Sequence, residues 1–401
     1  MLDALLDALR IRQYFNAVTM GREVVTGVRD DLSFLLELRR AVLPYPGEAR
    51  GTPERQPFPP LRRRPAKHLE GKRVALLATG GSGALACIVG VARAFEESGV
   101  TPSGISLCSG SALFGFPLAA GKSSDEVAEF TLGLHSDDLV DVDWRRLAAL
   151  LPTAARGFTG FLRGERVEAA YTEWLGDMRL DQLPVPAYAP VWNVERNELD
   201  YIGPRTHPEL TVARAVRMAV ALPLFIEAVS YKGAHYYDGG TGDIFPVRPL
   251  LDIEPRPDAV VAVNAFYPPQ FAGDDVSGWV ERPGSIFIAA AQVRSVQHIE
   301  LAREHLARLR REVPEVMLLD PVPYEDIRGV GLYRFFFDNS RWPDFMRAGH
   351  ATASRALHAS TRQPPPRRSK RRLAPQPAKR PSAGGARRGA RGSVRRGRGA
   401  A

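Results

Sequence analysis

Arg73-Val74-Ala75-Leu76-Leu77-Ala78 runs directly into Thr79-Gly80-Gly81-Ser82-Gly83. A short unbroken apolar run is the pattern of a strand buried on both faces of a parallel sheet. The glycines then make a turn, and an amphipathic helix is predicted over 82–98, stopped by Gly99 where a left-handed cap is favoured. The same order recurs at once: a strand over 104–108, the turn Cys108-Ser109-Gly110-Ser111-Ala112, and a helix through residue 121. Segments 190–194 and 199–203 resemble a hairpin, a helix over 211–221 follows, and 234–237 is a strand. Farther on, 258–263 is another buried strand, a long helix spans 289–312, Glu315–Leu319 is a late strand, and a last helix lies near 341–359. Strands alternating with helices place the middle of the chain in the α/β class.

Three turns bear the chemistry. An ester carbonyl under attack gathers negative charge on oxygen, and one well-aimed backbone N–H stabilises it by roughly 3–4 kcal/mol. Gly80, Gly81 and Gly83, with Ser82 among them, allow the close approach that side chains would block. The helix beginning there adds its positive dipole end. A phosphate-loop reading lacks the Gly-Lys-Ser/Thr sequence, and a dinucleotide reading lacks an acid about twenty residues on. In the second turn Ser111 follows a strand and is the candidate nucleophile, with Gly110 and Ala112 as small supporting neighbours. A serine there is also an ordinary helix cap, and Ser109 is a candidate for either job. In the third turn, Tyr237-Asp238-Gly239-Gly240, Asp238 is the candidate base and Gly239 and Gly240 shape its loop. An isolated Asp-Gly pair is otherwise a plain turn. His235 precedes it by three residues, and strand alternation turns that ring to the opposite face.

Taken together, the three turns resemble the patatin-like phospholipases over residues 73–250. That family has a Gly-Gly-Gly-x-Arg-Gly turn, a Gly-x-Ser-x-Gly elbow and an Asp-Gly-Gly/Ala motif. Here Gly80-Gly81-Ser82-Gly83-Ala84-Leu85, Ser109-Gly110-Ser111-Ala112-Leu113 and Asp238-Gly239-Gly240 occupy those places, and the helix and strand at 215–238 fit their surroundings. The resemblance implies a three-layer α/β/α sandwich with a mostly parallel central sheet. It also implies a serine lipid acyl hydrolase with a Ser111–Asp238 dyad and an oxyanion hole at Gly80, Gly81, Ser82 and Gly83. The implied substrate is a glycerolipid or phospholipid, with no metal or organic cofactor. The departures are Ser109 and Leu113 at the elbow's glycine positions, Ser82 at the third glycine and Ala84 at the arginine. A non-lipid esterase or thioesterase on the same fold, and an inactive lipid-binding relative, stand as alternatives.

The 401 residues divide by composition. Residues 1–43 read as amphipathic helices, which either pad the body or meet a membrane or second copy. Residues 44–72 read as a proline-rich connector, 73–360 as the hydrolase domain and 361–401 as a basic disordered tail. The formal charge is +9, yet residues 362–401 hold 14 Arg or Lys and no acid, so the body itself is acidic. Such a tail binds anionic lipid or nucleic acid non-specifically, or simply stays solvated. Cys87 and Cys108 form no zinc or disulfide pattern. Acids near Met1 argue against a signal peptide, and no run of about eighteen apolar residues occurs. The expected location is cytoplasmic, with peripheral membrane contact compatible with it.

Overall fold

In the computed structural model, which describes residues 53–134, 141, 160–273, 286–327, 335 and 338–359, the apolar run is a strand with every residue buried. This is β1 (Val74–Ala78), and it leads through the glycine turn to α1 (Cys87–Ser98). Then come β2 (Pro102–Ser106), α2 (Ala112–Ala119), α3 (Ser124–Gly133), β3 (Gly160–Leu162) and α4 (Glu165–Leu175). The hairpin β4 (Ala187–Asn193) and β5 (Glu198–Ile202) precedes α5 (Val212–Ala219), β6 (Leu224–Ile226), β7 (Val229–Tyr231) and β8 (Ala234–Asp238). The chain closes with β9 (Ala259–Val263), α6 (Ile286–Glu312), β10 (Glu315–Leu319) and α7 (Trp342–His358). The helices expected within 1–43 and the tail from 361 lie outside the described residues.

The main sheet has the order β10-β9-β1-β2-β4-β8-β7, with β5 also on β4, and β3 pairs separately with β6. From β10 to β4 every pairing is parallel, whereas β5, β8 and β7 join antiparallel. The expected α/β sandwich is therefore present, with a parallel half and an antiparallel extension. Strand alternation sorts its core into two layers. Val74, Leu76 and Ala78 of β1, with Val261 and Val263 of β9, pack into the cluster that holds α1, α2 and α7. Ala75, Leu77, Val260 and Ala262 point the other way, to Ala302, Leu306 and Leu309 of α6.

Helices α1 and α7 touch through their backbones. A Cβ on Gly90 would stand 1.9 Å from the Met346 carbonyl oxygen, and one on Gly349 would stand 2.0 Å from that of Cys87. Helix α1 starts as a 3-10 turn at Gly83–Ala86, and Gly99 caps its end at φ 69°. The proline-rich segment is irregular from residue 53, yet it is tied to the body. Arg93, 1% exposed, donates to the Pro59 carbonyl at 2.6 Å and to Asp125 at 2.8 Å. The Arg64 N–H bonds to the Glu97 carbonyl at 2.7 Å, and Phe58 packs edge-on against His350 of α7. Residues 53–66 thus form a strap over α1 and α7 rather than a free linker.

Candidate active site

The three turns meet. β1 and β2 are parallel neighbours, so both their turns leave the same edge of the sheet. β8 runs antiparallel to β4, with Asp238 opposite Val191, and so returns its last residue toward that edge. At the junction a Cβ on Gly110 would stand 2.5 Å from the Gly81 carbonyl oxygen. Gly239 presses equally on the Pro190–Val191 peptide.

The Cys108 thiol fills the centre of this junction. A Cβ on Gly80 would lie 2.9 Å from its sulfur and one on Gly240 would lie 3.0 Å from it. The thiol donates to the Asp243 carbonyl at 3.4 Å. Burial first, then the charges of Asp238 and Asp243, holds its pKa well above the usual thiol range. It stays protonated and serves as packing. Asp243 is itself buried and accepts from Tyr201 Oη at 2.5 Å and from the Phe245 N–H at 3.2 Å. His305 of α6 places Nδ1 2.9 Å from the Phe245 carbonyl and 3.3 Å from Asp243 Oδ1. Nearby His298 bridges the Tyr267 hydroxyl (2.6 Å) and the Thr241 carbonyl (3.0 Å). Two α6 histidines thereby pin the loop that follows Asp238.

The structure does not pair the two residues expected as a dyad. Among the described residues, Ser111 Oγ has Cys108 as its partner on both sides: it accepts from the Cys108 N–H at 2.6 Å and donates to the Cys108 carbonyl at 2.7 Å. The hydroxyl that acts on the Asp238 carboxylate is that of Ser109. Ser109 has φ 51°, the left-handed region that a β-carbon disfavours. It is half-buried, between the extended Cys108 and the start of α2. A nucleophile elbow holds its serine strained at a strand-to-helix turn, and of the two serines Ser109 has that backbone whereas Ser111, at φ -66°, is helical.

Read from Ser109, the elbow is Leu107-Cys108-Ser109-Gly110-Ser111. Leu107 occupies the first glycine position, and space for it comes from Gly115 of α2, where a Cβ would meet Leu107 Cδ2 at 2.1 Å. Ser111 occupies the second, and its hydroxyl braces the turn. Ala112 is fully buried at the start of α2. Tyr171 of α4 is also buried, donating its hydroxyl to the Leu113 carbonyl at 2.6 Å, and Trp174 stacks on Phe130. These aromatics pack together beside α2.

Asp238 is 1% exposed, and burial raises its carboxyl pKa to about 6 against the pull of the Ser109 hydroxyl and the Gly240 N–H, which bonds to Oδ1 at 2.8 Å. His235 is exposed and paired with Glu195 at 2.6 Å, on the face away from Asp238. In the glycine turn, the Gly80 N–H is spent on the Ile244 carbonyl at 2.9 Å. Gly80 therefore has no donor to offer, contrary to expectation. Among the described residues no acceptor is paired with the N–H groups of Gly81, Ser82 or Gly83.

Residues 77–251 match the family described as Patatin-like phospholipase. Residues 77–251 are therefore a patatin-like phospholipase domain within the 401-residue chain. It is 30% identical over 202 residues to uncharacterized NTE family proteins of Mycobacterium bovis and Mycobacterium tuberculosis. The match covers 48% of this chain and 49% of each relative, so the chain aligns with about half the length of those proteins. Among solved structures it is similar to VipD from Legionella pneumophila (14% identity, 71% of this chain and 66% of that one, TM-score 0.39). It is also similar to human GIVD cytosolic phospholipase A2 (10% identity, 84% and 66%, TM-score 0.40). No described helix of this patatin-like chain is long and apolar enough to cross a membrane.

Proposed function

We propose that this patatin-like protein is a serine lipid acyl hydrolase in which Ser109 is the nucleophile and Asp238 its base. The observation that carries the reading is the strained Ser109, whose hydroxyl is the one acting on the buried Asp238 carboxylate. The Ser109 proton passes to Asp238 as Oγ bonds to the acyl carbon. The carbonyl oxygen takes up the electron pair and is held by the unpaired N–H groups at Gly81, Ser82 and Gly83. When the oxyanion collapses, the bond to the leaving alcohol breaks and Asp238 returns its proton to that oxygen. Water then loses a proton to Asp238 and attacks the acyl-serine; the acyl–Oγ bond breaks, the fatty acid leaves, and Asp238 returns that proton to Ser109 Oγ. A carboxylate whose pKa sits near 6 is a stronger base than an ordinary one yet still ionised at pH 7.

The substrate class proposed is an acyl ester of a glycerolipid or phospholipid, which the family supports. The basic tail is proposed to help such a protein reach anionic surfaces, at about 1 kcal/mol per Lys or Arg near the membrane. The deciding test is labelling with a fluorophosphonate, run beside hydrolysis of p-nitrophenyl esters, in wild type, Ser109→Ala, Ser111→Ala and Asp238→Asn. Labelling lost only in Ser109→Ala and weakened in Asp238→Asn supports the assignment. Full labelling of Ser109→Ala overturns it.

A further inference from the structure

We propose that Phe266, on the loop after β9, determines which acyl chains the site accepts. The proposal rests on the hydrolase reading above and adds a wall to it. β9 is the parallel neighbour of β1, so its loop leaves the sheet beside the glycine turn, at the edge where α/β sheets bind their ligands. The Ala265 N–H reaches Thr79 Oγ1 at 3.4 Å. A Cβ on Gly81 would stand 3.2 Å from Phe266 Cβ and 3.6 Å from the Ala265 carbonyl oxygen. Phe266 thus borders the turn whose N–H groups are unpaired. Its half-buried ring packs edge-on against Tyr267, with centroids 4.6 Å apart, and rests on the α6 side of the core.

The loop is built to hold that ring still. Asn264, 2% exposed, donates to the Tyr267 carbonyl (3.0 Å), the Pro268 carbonyl (3.3 Å) and Asp320 (2.8 Å). Its oxygen accepts from the N–H groups of Tyr267 (3.0 Å) and Phe266 (3.4 Å). Gln270 and Phe271 both have left-handed backbone, at φ 57° and 51°. Asp320 accepts from the Gln270 side chain at 2.7 Å, and Arg303 donates to the Phe271 carbonyl at 2.6 Å. Strain persists only where the surroundings over-determine it, and it gathers at ligand sites. Here it lies on the loop after β9, which abuts the glycine turn from the side opposite Ser109's strand β2.

The test compares kcat/KM for p-nitrophenyl butyrate and laurate in wild type, Phe266→Ala and Phe266→Trp. The larger indole is expected to lower the laurate-to-butyrate ratio about tenfold, and alanine to raise it, because one or a few methylenes are worth that much in a shaped apolar site. A residue that only packs would change both substrates together. Ratios within about twofold of wild type in both variants overturn the proposal. If the wild type hydrolyses neither ester, the hydrolase reading fails separately and a binding measurement decides the wall. Tryptophan emission of Phe266→Trp, with the wild-type signal subtracted, is titrated with sodium laurate. A saturable change supports the wall, and a flat titration overturns it.

Discussion

The backbone of Gly110 rests on the carbonyl of Gly81, so close that a Cβ at position 110 would stand 2.5 Å from that oxygen. The residue after Ser109 is thereby in contact with the turn that offers unpaired N–H groups. In the proposed mechanism this one backbone contact sets nucleophile and oxyanion donors. Gly110→Ala should therefore push the two turns apart. A displacement near 1 Å costs about 100-fold in a reaction that depends on alignment. Esterase kcat/KM is expected to fall by at least that factor while circular dichroism still reports a folded chain. Wild-type turnover in this variant would mean that the contact does not set the site.

Ser109→Ala and Ser111→Ala separate the two serines. The first removes the strained hydroxyl that acts on Asp238 and is expected to abolish fluorophosphonate labelling with little change in stability. The second removes the acceptor of the buried Cys108 N–H, a loss of about 1–3 kcal/mol. Its carbonyl partner keeps the Ser111 N–H at 3.1 Å. Ser111→Ala should accordingly melt earlier yet still be labelled. Equal loss of labelling in both, with unchanged melting, would contradict this division.

These two serines also mark where the sequence stops being legible. Strand order and helix order follow from apolar runs and glycine stops such as Gly99, because burial and left-handed caps are local requirements. The late strand at Glu315–Leu319 and the hairpin around Arg196-Asn197 were readable for the same reason. Choosing between Ser109 and Ser111 needed a backbone angle, and both serines sit in equally altered motifs. The signal that favours 109 is pairwise: Leu107 fits only because Gly115, eight residues on, leaves room. Likewise the loss of Gly80 as a donor depends on Ile244, and the strap at 53–66 depends on Arg93 being buried. Each is a contact between distant residues that composition and periodicity do not encode.

Asp238→Asn should trade activity for stability. Burial lifts the folded-state carboxyl pKa from 3.8 to about 6, so the folded protein holds the proton more tightly than the unfolded chain. That stabilisation is full below the unfolded value and is lost as pH rises through about 6. At neutral pH the buried charge costs about 3 kcal/mol, at 1.36 kcal/mol for each pH unit of the difference. Asparagine keeps an oxygen for the Gly240 N–H without the charge. The variant is expected to be inactive and to melt higher at pH 7.5, with the advantage vanishing near pH 4. In the wild type the same group must be ionised to act, so kcat/KM should fall as pH drops below about 6. A flat activity profile from pH 5 to 8 would remove Asp238 as the base.

Gly349→Ala tests whether the last helix supports the site from behind. The new methyl would lie 2.0 Å from the Cys87 carbonyl oxygen, and no flexible side chain can yield there because both partners are backbone. Overpacking of this kind costs about 1–3 kcal/mol. Helix α7 begins with Trp342, fully buried, whose Nε1 donates to the Phe335 carbonyl at 2.9 Å. A Cβ on Gly83 would stand 2.0 Å from that same nitrogen, so the indole lies directly against the glycine turn. Moving α7 off α1 moves the floor of the turn. The expected outcome is a lowered melting temperature together with a fall in kcat that lower temperature does not restore. A variant that melts early but turns over normally when cold would confine α7 to a structural part.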